Sequence, residues 1–174
     1  MEPYLTRPST EFGNSYKQSL QEQANESRNI SGIDSQIADI DTHINWLQSL
    51  EQPRDKRHGV QQSVFWLVNG NNYIGTIIIR HKLSGRHPSI ASHVYYEIRP
   101  SERENGYGKL ILKLGIQEAS SLNLKFLIAS CDADNIPSLE IIKYSGGTLF
   151  ARRIIRENGA PVTVLLFKIR ISRK

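Results

Sequence analysis

From Asp34 to about Glu51, the apolar residues Ile37, Ile40, Ile44 and Leu47 recur every three or four positions. That spacing puts side chains on one face of a helix and predicts an amphipathic segment that stops before Pro53. The stripe is shorter than two heptads, so it reads as a core-facing surface rather than a coiled-coil seam. An earlier helix is capped by Ser9-Thr10-Glu11 and carries Phe12, Tyr16 and Leu20 four positions apart. After the charged stretch PRDKRHG the period changes. Val64–Val68 and Tyr73–Arg80 are rich in β-branched and aromatic residues, and the NGNN between them suits a hairpin because Asn and Gly tolerate positive φ. Ser84 to Pro88 reads as a loop and His93 to Arg99 as a third strand. Gly108–Leu122 predicts a helix through Ile111, Leu114 and Ala119, followed by the short strand LKFLIAS. A second short helix, about Ile136 to Ser145, stops at Gly146-Gly147. The last element is a hairpin of TLFARRIIR and VTVLLFKIRI joined through ENGAP. This order predicts a mixed α/β domain with an antiparallel start and a βαβ-like middle.

A chain of 174 residues with 39% hydrophobic and 22% charged residues suits one domain with a core of its own. No apolar run approaches a membrane span and the start lacks the pattern of a secretory leader, so no membrane association is expected. Cys131 is the only cysteine, which excludes an internal disulfide and fits a reducing compartment. The cytoplasm is the expected location. The net charge of +5 is unevenly spread, with seven basic residues and one acidic residue after position 150. There RRIIR and KIRISRK alternate charged and apolar residues as a half-buried strand pair does. Without an aromatic platform or a nucleic-acid fold motif, a nucleic-acid partner is not expected. The histidines lack zinc-ligand spacing, and DADN departs from a calcium loop because Pro137 stands where a glycine is required. No metal is expected.

The chemistry concentrates in EIRPSERENGYGKLILKLG, Glu97 to Gly115, at a strand-to-helix junction. A loop entering a helix presents unpaired N–H groups and the positive end of the helix dipole, which together suit phosphate. Gly106 and Gly108 would let a ligand approach the backbone, and Arg103 and Lys109 add positive charge. A P-loop is excluded because Arg103 takes the first glycine position and Leu110 the hydroxyl position. A dinucleotide fingerprint lacks its third glycine, where Ile111 stands. Taken alone, a glycine pair before a helix also fits an ordinary loop.

The longer pattern Ile98-x-Pro100-x-x-Arg103-x-x-Gly106-x-Gly108 resembles the signature with which GNAT superfamily N-acetyltransferases hold acetyl-CoA. CDADNIPSLEIIKYSGG is similar to a second segment of that family, with Asn135, Ser138, Gly146 and Gly147 in register. SHVYYEIRPSERENGYG looks closest to an uncharacterised bacterial branch of predicted acetyltransferases. The resemblance implies a GNAT-like fold, a mixed and mostly antiparallel twisted sheet flanked by helices. Residues 61–174 would form the sheet and coenzyme-binding core, and 1–60 a variable helical region on the acceptor side. It implies acetyl-CoA as acyl donor, an amine as acceptor, and no metal. The backbone of Arg103, Glu104, Asn105, Gly106, Tyr107 and Gly108 would hold the pyrophosphate, with Lys109 beside it. Ile98 and Arg99 would pair main-chain groups with the pantetheine arm. Asn135 and Ser138 would lie near that arm, although Asn135 is equally a helix cap before Pro137.

The implied reaction is direct attack of an amine on a thioester. A lysine-type amine, with a pKa of about 10.4, is mostly protonated at neutral pH, so a base is expected. His93, Tyr95 and Glu97 alternate onto one strand face, which makes Glu97 or His93 the candidate base, each with a packing alternative. Many family members protonate the leaving thiolate with a tyrosine seven residues after the equivalent of Asn135. Here Ile142 holds that position, and Tyr144 lies about 200° around a helix from it. The general acid is therefore unassigned, and an acyl-CoA-binding module without turnover is the alternative. Cys131, without an activating histidine in adjacent sequence, reads as a packed residue. Pairing of two copies through the last hairpin fits folds of this kind.

Overall fold

The computed structural model describes residues 2–26, 39–53, 59–83 and 92–171. The seven strands are β1 (Tyr4–Thr6), β2 (Gln62–Asn69), β3 (Asn72–Arg80), β4 (Val94–Ile98), β5 (Phe126–Asp132), β6 (Thr148–Glu157) and β7 (Ala160–Arg170). They form one sheet in the order β1-β2-β3-β4-β5-β7-β6. All neighbours are antiparallel except β4 and β5. Among the described residues, four α-helices flank it: α1 (Gly13–Asn25), α2 (Ile40–Ser49), α3 (Tyr107–Ser121) and α4 (Ile136–Tyr144).

The helices begin where local chemistry supplies acceptors for their first N–H groups. The Ser9 side chain accepts from Glu11 N at 3.3 Å and opens a single 3₁₀ turn, Thr10–Phe12, that leads into α1. Asp39 caps α2 by accepting from Asp41 N at 3.1 Å. The expected helix from Asp34 therefore begins, within the described residues, at Ile40; positions 34–38 lie outside them, as does the Ser84 to Pro88 loop. Gly70, at φ 56°, turns the β2–β3 hairpin as NGNN predicts. β1 escapes sequence reading because three residues between Pro3 and Pro8 are too few to show a period.

The sheet separates two apolar layers. On one face α1 and α2 bury Phe12, Tyr16, Leu20, Ile44 and Leu47 against Val64, Trp66, Val68 and Tyr73. On the other, α3 and α4 bury Ile111, Leu112, Ala119 and Ile142 against Leu67, Ile77, Leu127 and Phe167. Covered on both sides, β2 runs as six consecutive buried residues instead of alternating. Glycines set the closest approaches. A Cβ on Gly115 would lie 2.2 Å from Ile77 Cδ1, so α3 sits directly on β3. One on Gly75 would lie 2.4 Å from the Glu97 carbonyl oxygen. Among the described residues, no helix is long and apolar enough to cross a membrane, and no cluster of His, Cys, Asp or Glu suited to a metal occurs.

Candidate functional site

The site starts from a break in the sheet. β4 and β5 run parallel and meet at one pair, Val94 with Ala129, after which β5 follows β7. On its other side β4 pairs with β3 through alternate residues, shown by Arg80 N to His93 O at 2.7 Å and Arg99 N to Ile74 O at 2.8 Å. Antiparallel alternation then turns the main-chain groups of Tyr96 and Ile98 toward the gap. Arg99 is placed differently. Its N–H is donated to Ile74 on β3 and its carbonyl accepts from Glu102 N at 2.9 Å. The Arg99 side chain pairs with Glu22 at 2.6 Å and donates to Ser15 Oγ at 3.1 Å, tying β4 to α1. Ile98 does lie at the gap, with its carbonyl accepting from Arg103 Nε at 3.2 Å.

Beyond β4, Pro100–Glu102 forms a 3₁₀ turn. Glu104 (φ 65°) and Gly106 (φ 80°) then adopt left-handed backbone just ahead of α3. Such alternation of handedness turns successive N–H groups to one side and makes a concave anion site. No main-chain acceptor among the described residues takes the N–H groups of Glu104, Asn105, Gly106, Tyr107 or Gly108. The two glycines differ in cause. Gly106 is required by its φ, since a Cβ there would meet nothing within 4 Å. Gly108 is required by packing, since a Cβ would stand 2.5 Å from Ile141 Cδ1. Its small size brings α4 against α3, a role that the ligand-approach argument missed. Arg103 is held by Glu26 at 2.7 Å. Lys109 Nζ lies 4.6 Å from the centre of the Tyr144 ring. Asn105 Nδ2 donates to Glu102 O at 3.4 Å.

The far wall of the gap is the start of α4. Asn135 caps it, its Oδ1 accepting from Ser138 N at 3.1 Å. The Tyr96 hydroxyl reaches across from β4 to within 3.0 Å of Ser138 Oγ. Burial is the main cause that pushes the Tyr96 phenol up to about 12, so it stays protonated at neutral pH. Ile142 is fully buried beneath Gly147. Cys131 lines the gap with its thiol pushed up, chiefly by burial and then by the Asp132 carboxylate. It is thus a thiol and not a nucleophilic thiolate.

On the α1 and α2 face, Glu97 Oε2 accepts from the Tyr95 hydroxyl at 2.7 Å and Oε1 accepts from Gln23 Nε2 at 3.1 Å. Burial, reinforced by the Glu97 charge, raises the phenols of Tyr16, Tyr73 and Tyr95 far above the ordinary tyrosine value. These groups therefore donate and do not ionise. His93 is placed apart from this pair. Its Nδ1 accepts the Ile128 N–H at 3.0 Å and its ring stands edge-on to Phe126. Burial, then the Arg80 charge, hold it below the usual histidine range. The neutral ring so held carries its proton on Nε2 and has no free lone pair.

A cavity of about 460 Å³ runs along this face and through the gap, lined among others by Tyr16, Arg80, Tyr95, Tyr96, Asp132 and Ser138. Neither Glu97 nor His93 lines it; Tyr95 does, and carries the hydrogen bond to Glu97 behind it. Strand alternation put Tyr95 on the Glu97 face but gave it no role, and it left out Tyr96, which necessarily faces the opposite side of the sheet.

The sheet thus opens between two parallel strands, and a concave run of N–H groups adjoins the opening at the head of α3. The family model described as Acetyltransferase (GNAT) domain matches residues 20–148. The chain belongs to the GNAT acetyltransferase family, and its class of chemistry is acyl transfer. Solved structures share its fold. YncA from Salmonella typhimurium, solved with its cofactor acetyl-CoA, has a TM-score of 0.65 at 13% identity, covering 99% of this chain and 95% of that one. The microcin C7 self-immunity acetyltransferase MccE, in complex with acetyl-CoA and AMP, has a TM-score of 0.69 at 15% identity, with coverage of 98% and 93%. The Salmonella typhimurium acetyl transferase that modifies the N-terminal serine of ribosomal protein L7/L12 has a TM-score of 0.71 at 13% identity, with coverage of 98% and 95%. No curated protein matches the chain in sequence.

Proposed function

We propose that this chain transfers the acetyl group of acetyl-CoA to a primary amine by direct attack. The observation that carries the reading is the open β4 edge, continuous with the N–H cradle at residues 104–108 and with a cavity that reaches the Tyr95–Glu97 pair. When bound, acetyl-CoA supplies the activated thioester. The cradle takes the pyrophosphate, and the main-chain groups of Tyr96 and Ile98 pair with the pantetheine arm as an added strand would. Ser138 and Asn135 flank that arm from the α4 side.

The amine nitrogen forms the new bond to the carbonyl carbon and the carbon–sulfur bond breaks. A lysine-type amine needs roughly 4.6 kcal/mol to lose its proton at neutral pH, at about 1.36 kcal/mol per pKa unit. Glu97 accepts that proton through the Tyr95 hydroxyl, which receives one proton as it passes its own to Oε2. His93 then serves to pin β4 to β5. The departing thiolate takes its proton from Tyr96, whose hydroxyl stands in the gap where the buried Ile142 offers none.

A steady-state assay for free CoA over a panel of amines, with calorimetry for acetyl-CoA binding, tests the reading. Turnover with at least one amine supports it. Acetyl-CoA uptake with no turnover on any amine gives the second reading, an acyl-CoA-binding module, which the fully buried Ile142 favours.

A further inference from the structure

Arg80 is the last residue of β3, and its side chain lines the cavity beside Gln62, Ser92 and Tyr95. A guanidinium offers five N–H donors in a planar fork. Arg80 uses one, Nη1 to Ser92 O at 3.2 Å. No carboxylate among the described residues pairs with it. Three other arginines behave differently: Arg7 is bound to Glu51, Arg99 to Glu22 and Arg103 to Glu26. Partial burial depresses the Arg80 pKa with only the Tyr95 hydroxyl acting the other way, as expected of a half-buried cation without a counter-charge. Such an arrangement is costly unless a ligand supplies the missing anion.

The cavity has an opposite pole. Arg80 is paired with His93 at the start of β4. Asp132 lies three residues beyond the Val94–Ala129 pair on parallel β5, with Glu157 also in the lining. Four residues of strand separate the two levels by about 13 Å. An anionic group is repelled from the Asp132 end and drawn to Arg80. The gap between β4 and β5, where the amine must meet the thioester, lies between the two. A cavity of this size admits a small molecule.

Resting on the acetyl-transfer reading, we infer that the acceptor is a small amine that also carries a carboxylate, of the amino-acid type, with Arg80 holding the carboxylate through its free N–H fork. Arg80 thereby sets both the choice and the orientation of the acceptor.

The test uses matched pairs, free amino acids and their α-carboxamides, as acceptors for the intact protein. For the best acid the expected kcat/KM exceeds that of its amide by about 30-fold, the effect of a charge-assisted bidentate pair. In Arg80→Gln, whose amide can still donate to Ser92 O, the acid-to-amide ratio collapses toward one. Arg80→Lys, which keeps the charge but loses the fork, falls between. Melting curves show whether each variant folds. Equilibrium binding of N-acetyl amino acids and their amides in the presence of CoA supplies a readout that needs no turnover, so the inference stays testable if the protein is a module. Equal rates or affinities for acid and amide in the wild type, or a ratio unchanged in both variants, would overturn the carboxylate assignment. Turnover of amines without a carboxylate preference would leave the acetyltransferase reading standing.

Discussion

Tyr95 is the residue through which the cavity meets Glu97, and the proposed proton path depends on it. Glu97→Gln keeps an amide oxygen to accept from Tyr95, loses the acceptor for Gln23 Nε2 and cannot accept a proton, so kcat should fall by about 10²-fold, the usual weight of a general base. Acetyl-CoA affinity should hold, since Glu97 faces away from the coenzyme side. Tyr95→Phe should give a loss of similar size, and the double variant little more than either, because one relay is broken twice. An additive result would separate the two residues. Tyr96→Phe should lower kcat about tenfold by removing the proton donor for the thiolate, with rates compared under saturating acetyl-CoA. The sequence made part of this visible. Period-two alternation put Tyr95 beside Glu97, and the absence of a tyrosine at Ile142 was plain. The Tyr96 hydroxyl at Ser138 joins positions 42 apart, which no local pattern reports. The place of the His93 ring was not legible for a related reason. Strand alternation states which face a side chain leaves from, but not that its ring then bonds the backbone of the next strand.

At the scale of elements, α1 acts as a strap on the β4–α3 junction. Glu22 receives the Arg99 guanidinium and, through Oε2, the Ser101 N–H at 3.1 Å, while Glu26 holds Arg103 one turn further along. The hydrogen bond from Arg99, opposed by burial and aided by Ser101, places the Glu22 carboxyl below the usual carboxylate range. A depressed folded-state pKa adds stability above the unfolded value of about 4.3, and that contribution is lost as pH falls through the folded value. Glu22→Gln should therefore lower the melting temperature at pH 7 and flatten its decline below about pH 4.3. Equal slopes in wild type and variant would show that the strap carries no such linkage. No local pattern reports these bridges: 77 positions separate Arg99 from Glu22. Long apolar periods made most strands and helices legible, as the close agreement for α3 and for the β6–β7 hairpin shows. The gap itself was not legible, because it arises when β7 pairs with β5 along its length and leaves β4 a single partner residue.

For the whole molecule, two features must act on one ligand: a cradle at the head of α3 and an open edge along β4. The cradle is an anion site, whereas the edge offers main-chain pairing to a pantetheine arm, so fragments of the coenzyme can separate them. A ligand that binds only the folded state at 100 times its Kd adds about 2.7 kcal/mol to stability. In a chain of this size each kcal/mol raises the melting temperature by about 2–4 °C. Acetyl-CoA at that excess should therefore raise it by about 5–10 °C. At the same concentration adenosine 3′-phosphate 5′-diphosphate, which keeps the pyrophosphate but lacks the arm, should give only part of the shift, and CoA nearly the full one. Gly106→Ala should lower the melting temperature of the free protein, since a side chain at φ 80° is strained. It should also weaken the acetyl-CoA shift, because relief of that strain turns the N–H groups of residues 104–108 out of register. A variant with a lower melting temperature but an undiminished coenzyme shift would reduce Gly106 to a simple turn residue and move the pyrophosphate site elsewhere. If the fragment without the arm matches CoA, the β4 edge contributes no binding and the added-strand geometry fails.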